Sequence, residues 1–112
     1  MPYPERLGTD GLLRGRLIHV DGRVEYALSG DLDLASADAL GERLTALAVQ
    51  TPGDVLFDLA ELRFLGSTGI RALLSVHAEL AGHGRRLVLR NVQDVPLRAL
   101  ALTGLSETLS LE

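Results

Sequence analysis

Val55-Leu56-Phe57-Asp58-Leu59 is a short, nearly unbroken apolar run, and beyond it Ile70, Leu73, Leu74 and Leu80 recur at helical spacing. A run of that length, bounded by Thr51-Pro52-Gly53 on one side, reads as a strand over 54–59 covered on both faces. The periodic stretch reads as an amphipathic helix from Ser67 to Ala81, closed by Gly82-His83-Gly84. A buried strand feeding an amphipathic helix must lay that helix back on its own sheet, which commits the chain to a layered β/α architecture.

The rest of the chain extends this pattern. Residues 1–14 are rich in Pro, Gly and charge and read as a loose terminus able to supply a short edge strand. Arg16 to Val20 is a strand, Asp21-Gly22 is a two-residue hairpin signal, and Val24, Tyr26 and Leu28 alternate with Glu25, Ala27 and Ser29. Ser36 is positioned as an N-cap with Asp38 in the first turn, ahead of a helix over 36–49 carrying Ala37, Leu40, Leu44, Leu47 and Ala48. Gly41 inside it costs about 1 kcal/mol relative to Ala. Arg86 to Arg90 is a further strand. Pro96 opens a third helix with Leu97, Leu100 and Ala101, and Gly104 closes it. Residues 105–112 form a short strand or turn. The order β-β-α-β-α-β-α describes an α/β domain spanning 1–112, with a mixed sheet of an N-terminal hairpin plus parallel strands and helices packed against it.

Composition narrows the function classes. With 46% hydrophobic and 23% charged residues the chain is globular, and aromatics at 4% leave the core to Leu, Val, Ile and Ala. The net charge of −4 argues against nucleic acid as partner. No cysteine is present, so thiolate catalysis, disulfides and Cys-ligated metals are excluded. Every basic residue is Arg, a weak bacterial signature. No apolar stretch nears the roughly 20 residues of a membrane span, and the N-terminus lacks signal-peptide character, so membrane insertion is not expected and the cytoplasm is the default location.

The candidate chemistry centres on Gly66-Ser67-Thr68-Gly69, where a loop turns into a helix. Helix first turns carry unpaired N–H groups and a partial positive charge. Ser67 there is either a plain cap or a displayed hydroxyl whose phosphate would sit at the positive helix end. The spacing fails the Gly-x-Ser-x-Gly nucleophile elbow, and a phosphate-gripping loop needs a Lys that the chain lacks. Asp31 and Asp33, before the first helix, read as turn and cap acids, and the sheet order is able to bring them to the same end as Ser67. Of the three histidines, His77 falls on the apolar stripe and His83 in an exposed turn. No pair among His19, His77 and His83 has helical metal-site spacing. Neither a metal nor a cofactor is expected, and no enzymatic activity.

Three segments together resemble the STAS-domain anti-sigma factor antagonists of bacteria, over roughly residues 14–110. Gly30-Asp31-Leu32-Asp33-Leu34-Ala35-Ser36-Ala37 is similar to the family's Gly-acid-Leu-Asp segment. Val55-Leu56-Phe57-Asp58-Leu59 is similar to its central strand. Phe64-Leu65-Gly66-Ser67-Thr68-Gly69-Ile70-Arg71-Ala72-Leu73-Leu74 is similar to its phosphorylation loop and following helix. The family loop usually reads Asp-Ser-Ser/Thr-Gly, so Gly66 departs from it by removing a carboxylate beside the acceptor.

The resemblance implies that Ser67 is a phosphoacceptor, with Asp31, Asp33, Gly66, Thr68, Gly69 and Arg71 around it contacting a partner. That partner would be an anti-sigma factor with a histidine-kinase-like ATPase fold, which phosphorylates Ser67 and lets go, while a serine phosphatase resets the cycle. The alternatives are a STAS module of a transporter or signalling scaffold, and a nucleotide- or small-ligand-binding domain using the same helix end.

Overall fold

The computed structural model describes residues 5–7, 13–20, 23–50, 53–104 and 109–112. The elements are β1 (Glu5–Leu7), β2 (Leu13–Val20), β3 (Arg23–Leu32), α1 (Leu34–Gln50), β4 (Val55–Leu65), α2 (Ser67–Ala81), β5 (Leu87–Arg90), α3 (Asp94–Leu102) and β6 (Ser110–Leu111). They build a six-stranded sheet in the order β1-β2-β3-β4-β5-β6. β1, β2 and β3 pair antiparallel, and β3 to β6 pair parallel through the three helices. The architecture is the mixed α/β one anticipated from the sequence, and the short strands β1 and β6 fall in the two terminal stretches read as able to supply them. Val20 faces Arg23 across the ladder, the register of a two-residue connection. Asp21 and Gly22 themselves lie outside the described residues, as do 1–4.

One face of the sheet carries the core. Val24, Tyr26 and Leu28 on β3, Val55 and Phe57 on β4, and Leu87 and Leu89 on β5 are all buried, and Leu40, Leu73, Leu80 and Leu100 of the helices join them. Tyr26 and Phe57 are direct partners across β3 and β4, with ring centroids 6.3 Å apart and tilted by 53°. Such tilted pairs suit the opposed charges of ring face and edge. The Tyr26 ring lies over Gly15 of β2, where a Cβ would run into it, so this position in β2 is kept free of a side chain.

The opposite face is different. Glu25, Ala27 and Ser29 point there and are only half-buried. Leu56 and Val88, neighbours on that face, are nevertheless buried. On this face Arg90 of β5 reaches Glu25 of β3 across the intervening β4, at 3.0 Å, and also holds Glu112 at 2.7 Å. The hydrogen bond to Glu112 raises the Arg90 pKa further above its already high value. The run expected to be covered on both faces is thus covered by helices on one side, with an ion pair spanning the other.

Several boundaries differ from the sequence reading, each for a local reason. β4 runs to Leu65, not to Leu59, because two register irregularities against β3 break its alternation. The burial of Leu59, Leu62 and Leu65 then repeats every third residue, which does not read as a strand. The Asp58 carboxylate accepts the Ala60 N–H at 3.0 Å at the first irregularity. β2 begins at Leu13, ahead of the expected Arg16, where it meets β1.

The helix ends shift as well. α1 starts at Leu34, so Ser36 is not its N-cap, and Asp38 lies beyond the first turn. α3 starts at Asp94 with Gln93 at the cap position, which puts Pro96 at the third helical residue, where no intrahelical N–H is needed. After α2 the left-handed residue is Gly84, with φ of 69°, and Gly82 is still right-handed. Arg85 and Arg86 tie this end of the sheet. Arg85 donates to the Gly53 carbonyl, and Arg86 binds both oxygens of Asp54.

Candidate functional site

The ends of β3 and β4 bring two turns together. Asp31 pairs with Phe64 and Leu32 with Leu65 in the parallel ladder. The chain then leaves β3 through Asp33 into α1, and leaves β4 through Gly66 into α2. The Gly66 N–H donates to the Leu32 carbonyl at 3.0 Å, joining the two exits. A Cβ built on Gly66 would lie 3.7 Å from the Cβ of Asp33. The acidic turn and the Ser67 turn therefore stand side by side.

Ser67 is the first residue of α2 and not its cap. Gly66 occupies the cap position with φ of −85° and ψ of 175°, and no side chain caps the helix. The plain-cap reading of Ser67 is thereby overturned. Ser67 is exposed, whereas Gly69 and Ile70 face inward. The burial of Gly69 is obligatory: a Cβ there would stand 2.7 Å from both the Leu32 carbonyl oxygen and its Cγ. Glycine at this point lets the first turn of α2 press against the end of β3 and so fixes where Ser67 is displayed.

The acids are anchored by Ser36. This fully buried hydroxyl accepts the Asp33 N–H at 3.2 Å and lies 3.3 Å from the Asp31 carbonyl and 3.4 Å from that of Asp33. The Asp33 carbonyl accepts the N–H of Ala37 at 2.9 Å, which makes Asp33 the residue that opens α1. Ser36 is thus a brace for the acidic turn from inside the helix. Asp31 is half-buried with Arg63 at 3.8 Å, a loose, largely solvated ion pair.

Thr68 and Arg71 turn toward an open groove of about 940 Å³ between α1 and α2, whose walls also carry Asp38, Glu42, Ser75 and Glu79. Arg71 is exposed one helical turn beyond Ser67. Of the residues singled out in the sequence, Asp33, Gly66, Ser67 and Gly69 form one compact unit. Asp31 sits at its edge, and Thr68 and Arg71 lead from it into the groove.

Phe64 joins the site without any signal of its own in the sequence. It is 47% exposed, an unusual state for a phenyl ring, and it stands 3.2 Å from where a Gly66 Cβ would be. In sequence it is one apolar residue among several at the end of a strand. Only the extension of β4 to Leu65, which turns Leu62 and Leu65 inward, puts Phe64 outside. Among the described residues, no group of three His, Cys, Asp or Glu could hold a metal ion, and no helix is long and apolar enough to cross a membrane.

Comparison with known proteins sets this geometry beside that of characterised regulators. RsfB, an anti-sigma-F factor antagonist of Mycobacterium tuberculosis, is 29% identical over 91 residues, covering 81% of this chain and 74% of RsfB. The crystal structure of an anti-sigma factor antagonist from Mycobacterium paratuberculosis superposes with a TM-score of 0.81 at 26% identity, covering 94% of this chain and 89% of that one. SpoIIAA, an anti-sigma factor antagonist of Bacillus, shares the fold at 20% identity. Its unphosphorylated form has a TM-score of 0.76 with 88% and 87% of the two chains covered, and its phosphorylated form a TM-score of 0.69. The STAS domain family model matches residues 16–112. With that match running from β2 to the last residue, the chain belongs to the STAS domain family.

Proposed function

We propose that this protein is an anti-sigma factor antagonist switched at Ser67. In its unmodified form it binds an anti-sigma factor through the surface around Asp33, Phe64, Gly66 and Ser67, extending along Thr68 and Arg71. The observation that carries the reading is the exposed Ser67 at the first position of α2, flanked by an exposed aromatic ring and an anchored acidic turn. The names of the similar proteins supply the partner class.

The partner is an anti-sigma factor with a histidine-kinase-like ATPase fold, acting in the cytoplasm. It transfers the γ-phosphoryl group of ATP to the Ser67 oxygen, the bond from Pγ to the bridging oxygen breaks with ADP leaving, and the hydroxyl proton goes to solvent or to a base of the kinase. The antagonist is the substrate in this step and contributes no catalysis of its own. A phosphate at Ser67 adds about −1.5 to −2 charges beside Asp33 and bulk beside Phe64. A loss of about 3 kcal/mol at the interface weakens binding roughly a hundredfold. That suffices to release the partner without refolding, and hydrolysis by a serine phosphatase restores the binding surface.

The test is to incubate the chain with the co-encoded anti-sigma kinase and Mg-ATP and to map the product by peptide mass spectrometry. One phosphate on Ser67, absent in Ser67→Ala, is expected. Modification confined to Thr68 or to another residue, or none at all with a kinase active on its own substrate, contradicts the reading.

A further inference from the structure

The open sheet face carries a charge pattern outside the Ser67 site. Across β2, β3 and β4 two successive rows can be read from the register. One is Arg16–Ala27–Asp58 and the next is Arg14–Ser29–Glu61. Each runs base, small residue, acid. Arg14, Arg16 and Glu61 are exposed, and Ala27, Ser29 and Asp58 are half-buried. Because the middle strand carries only Ala27 and Ser29 in these two rows, a groove of about 290 Å³ opens above it, with Arg16 on one wall and Glu61 on the other.

This pattern is its own complement. A two-fold axis running along β3, in the plane of contact, exchanges the β2 side of one copy with the β4 side of the other and leaves the rows level. Arg14 then lies over Glu61, Arg16 over Asp58, and the reverse contacts follow by symmetry. We infer that the open sheet face is the contact surface of a two-fold dimer of this chain, with the arginines of β2 in one copy facing the acids of β4 in the other. The alternative orientations place arginine over arginine or acid over acid.

The area is modest. Three strands at about 4.8 Å spacing and two or three rows at about 7 Å give a patch well short of the roughly 800 Å² per partner of a standard interface. Exposed charge pairs add little each and are screened by salt. The dimer is therefore weak and salt-sensitive. The next outward pair along β3 and β4 is Asp31–Phe64, so the patch adjoins the Ser67 site at the strand ends.

The experiment is sedimentation velocity on the full chain from about 20 μM to about 500 μM, in about 20 mM and about 500 mM salt. Concentration-dependent dimer at low salt and its loss at high salt are expected. Arg14→Glu and Glu61→Arg are each expected to weaken self-association about tenfold or more, because each creates a like-charge contact that appears twice. Mixing the two variants must restore it as a heterodimer. The acid introduced at position 14 of one copy then meets the base introduced at position 61 of the other, and the unchanged Arg14 and Glu61 meet across the axis. Circular dichroism of each variant verifies the fold. The inference is overturned by a parent that stays monomeric at the highest concentration in low salt. It is equally overturned by variants that dimerise like the parent, by a mixture of folded variants that does not associate, or by a dimer abolished by Leu102→Glu on α3 and indifferent to Arg14→Glu.

Discussion

The Gly66 N–H and the Leu32 carbonyl oxygen are joined at 3.0 Å, at the point where β3 and β4 both end. This bond is what makes one site of two turns. It continues the parallel ladder by one rung after the strands have finished, and it holds the start of α2 beside the acidic turn. The first turn of α2 then closes with the Ile70 N–H on the Gly66 carbonyl at 2.9 Å. Ser67 is left outward on a backbone fixed from both sides.

Gly69 is expected to resist replacement and Gly41 to welcome it. A Cβ on Gly69 meets the Leu32 carbonyl at 2.7 Å and a Leu65 methyl at 3.0 Å, and backbone cannot swing aside. Gly69→Ala should cost about 1–3 kcal/mol by overpacking. Gly41 has nothing within 4 Å of a Cβ and lies mid-helix, so Gly41→Ala should stabilise by up to about 1 kcal/mol. Urea denaturation of the two variants should give shifts of opposite sign.

Gly66→Asp would bring the site to the family's usual loop. The backbone at Gly66 is in a region open to any residue, and a new Cβ would meet the edge of the Phe64 ring at 3.2 Å. An Asp at a cap position differs from Gly by a few tenths of a kcal/mol, so the melting temperature should hardly move. The initial rate of phosphorylation at Ser67 should rise, because a carboxylate then stands beside the acceptor hydroxyl. A phosphate-affinity gel time course checks this, and an unchanged or lower rate would show that Asp33 already fills that role.

What the sequence makes legible follows from periodicity. Val24, Tyr26 and Leu28 alternate cleanly because β3 has one buried face, and both ends of α2 are readable because Ile70, Leu73 and Leu80 recur at helical spacing between flanking glycines. β4 beyond Leu59 is hidden, since two irregularities turn a period of two into one of three. That hides Phe64 as well, because its exposure depends on which way the extended strand faces. Ser36 misleads for a different reason. A Ser with an acid two residues later resembles a cap, but here Asp33 opens the helix and Ser36 braces it from within. The base–small–acid rows on the open face are invisible in one dimension, since Arg14, Ser29 and Glu61 meet only through strand pairing.

Phe64 should matter for binding as well as for folding. About half its surface is already in water, so Phe64→Ala should cost about 1–2 kcal/mol of stability, less than the about 3–5 kcal/mol of a fully buried Phe. A central aromatic anchor typically costs about tenfold or more in affinity when truncated. Thermal melts and a titration against the anti-sigma factor separate the two effects. A large loss of stability with normal affinity would assign Phe64 to the core.

The central claim is that charge at Ser67 controls the partner. The most direct measurement is calorimetric titration of the co-encoded anti-sigma factor with two preparations of this chain, one unmodified and one quantitatively phosphorylated at Ser67. The unmodified chain should bind one to one, and the phosphorylated chain about a hundredfold more weakly, with both showing the same circular dichroism. Equal affinity of the two preparations would contradict the account and leave the chain as an interaction module without a switch at this position.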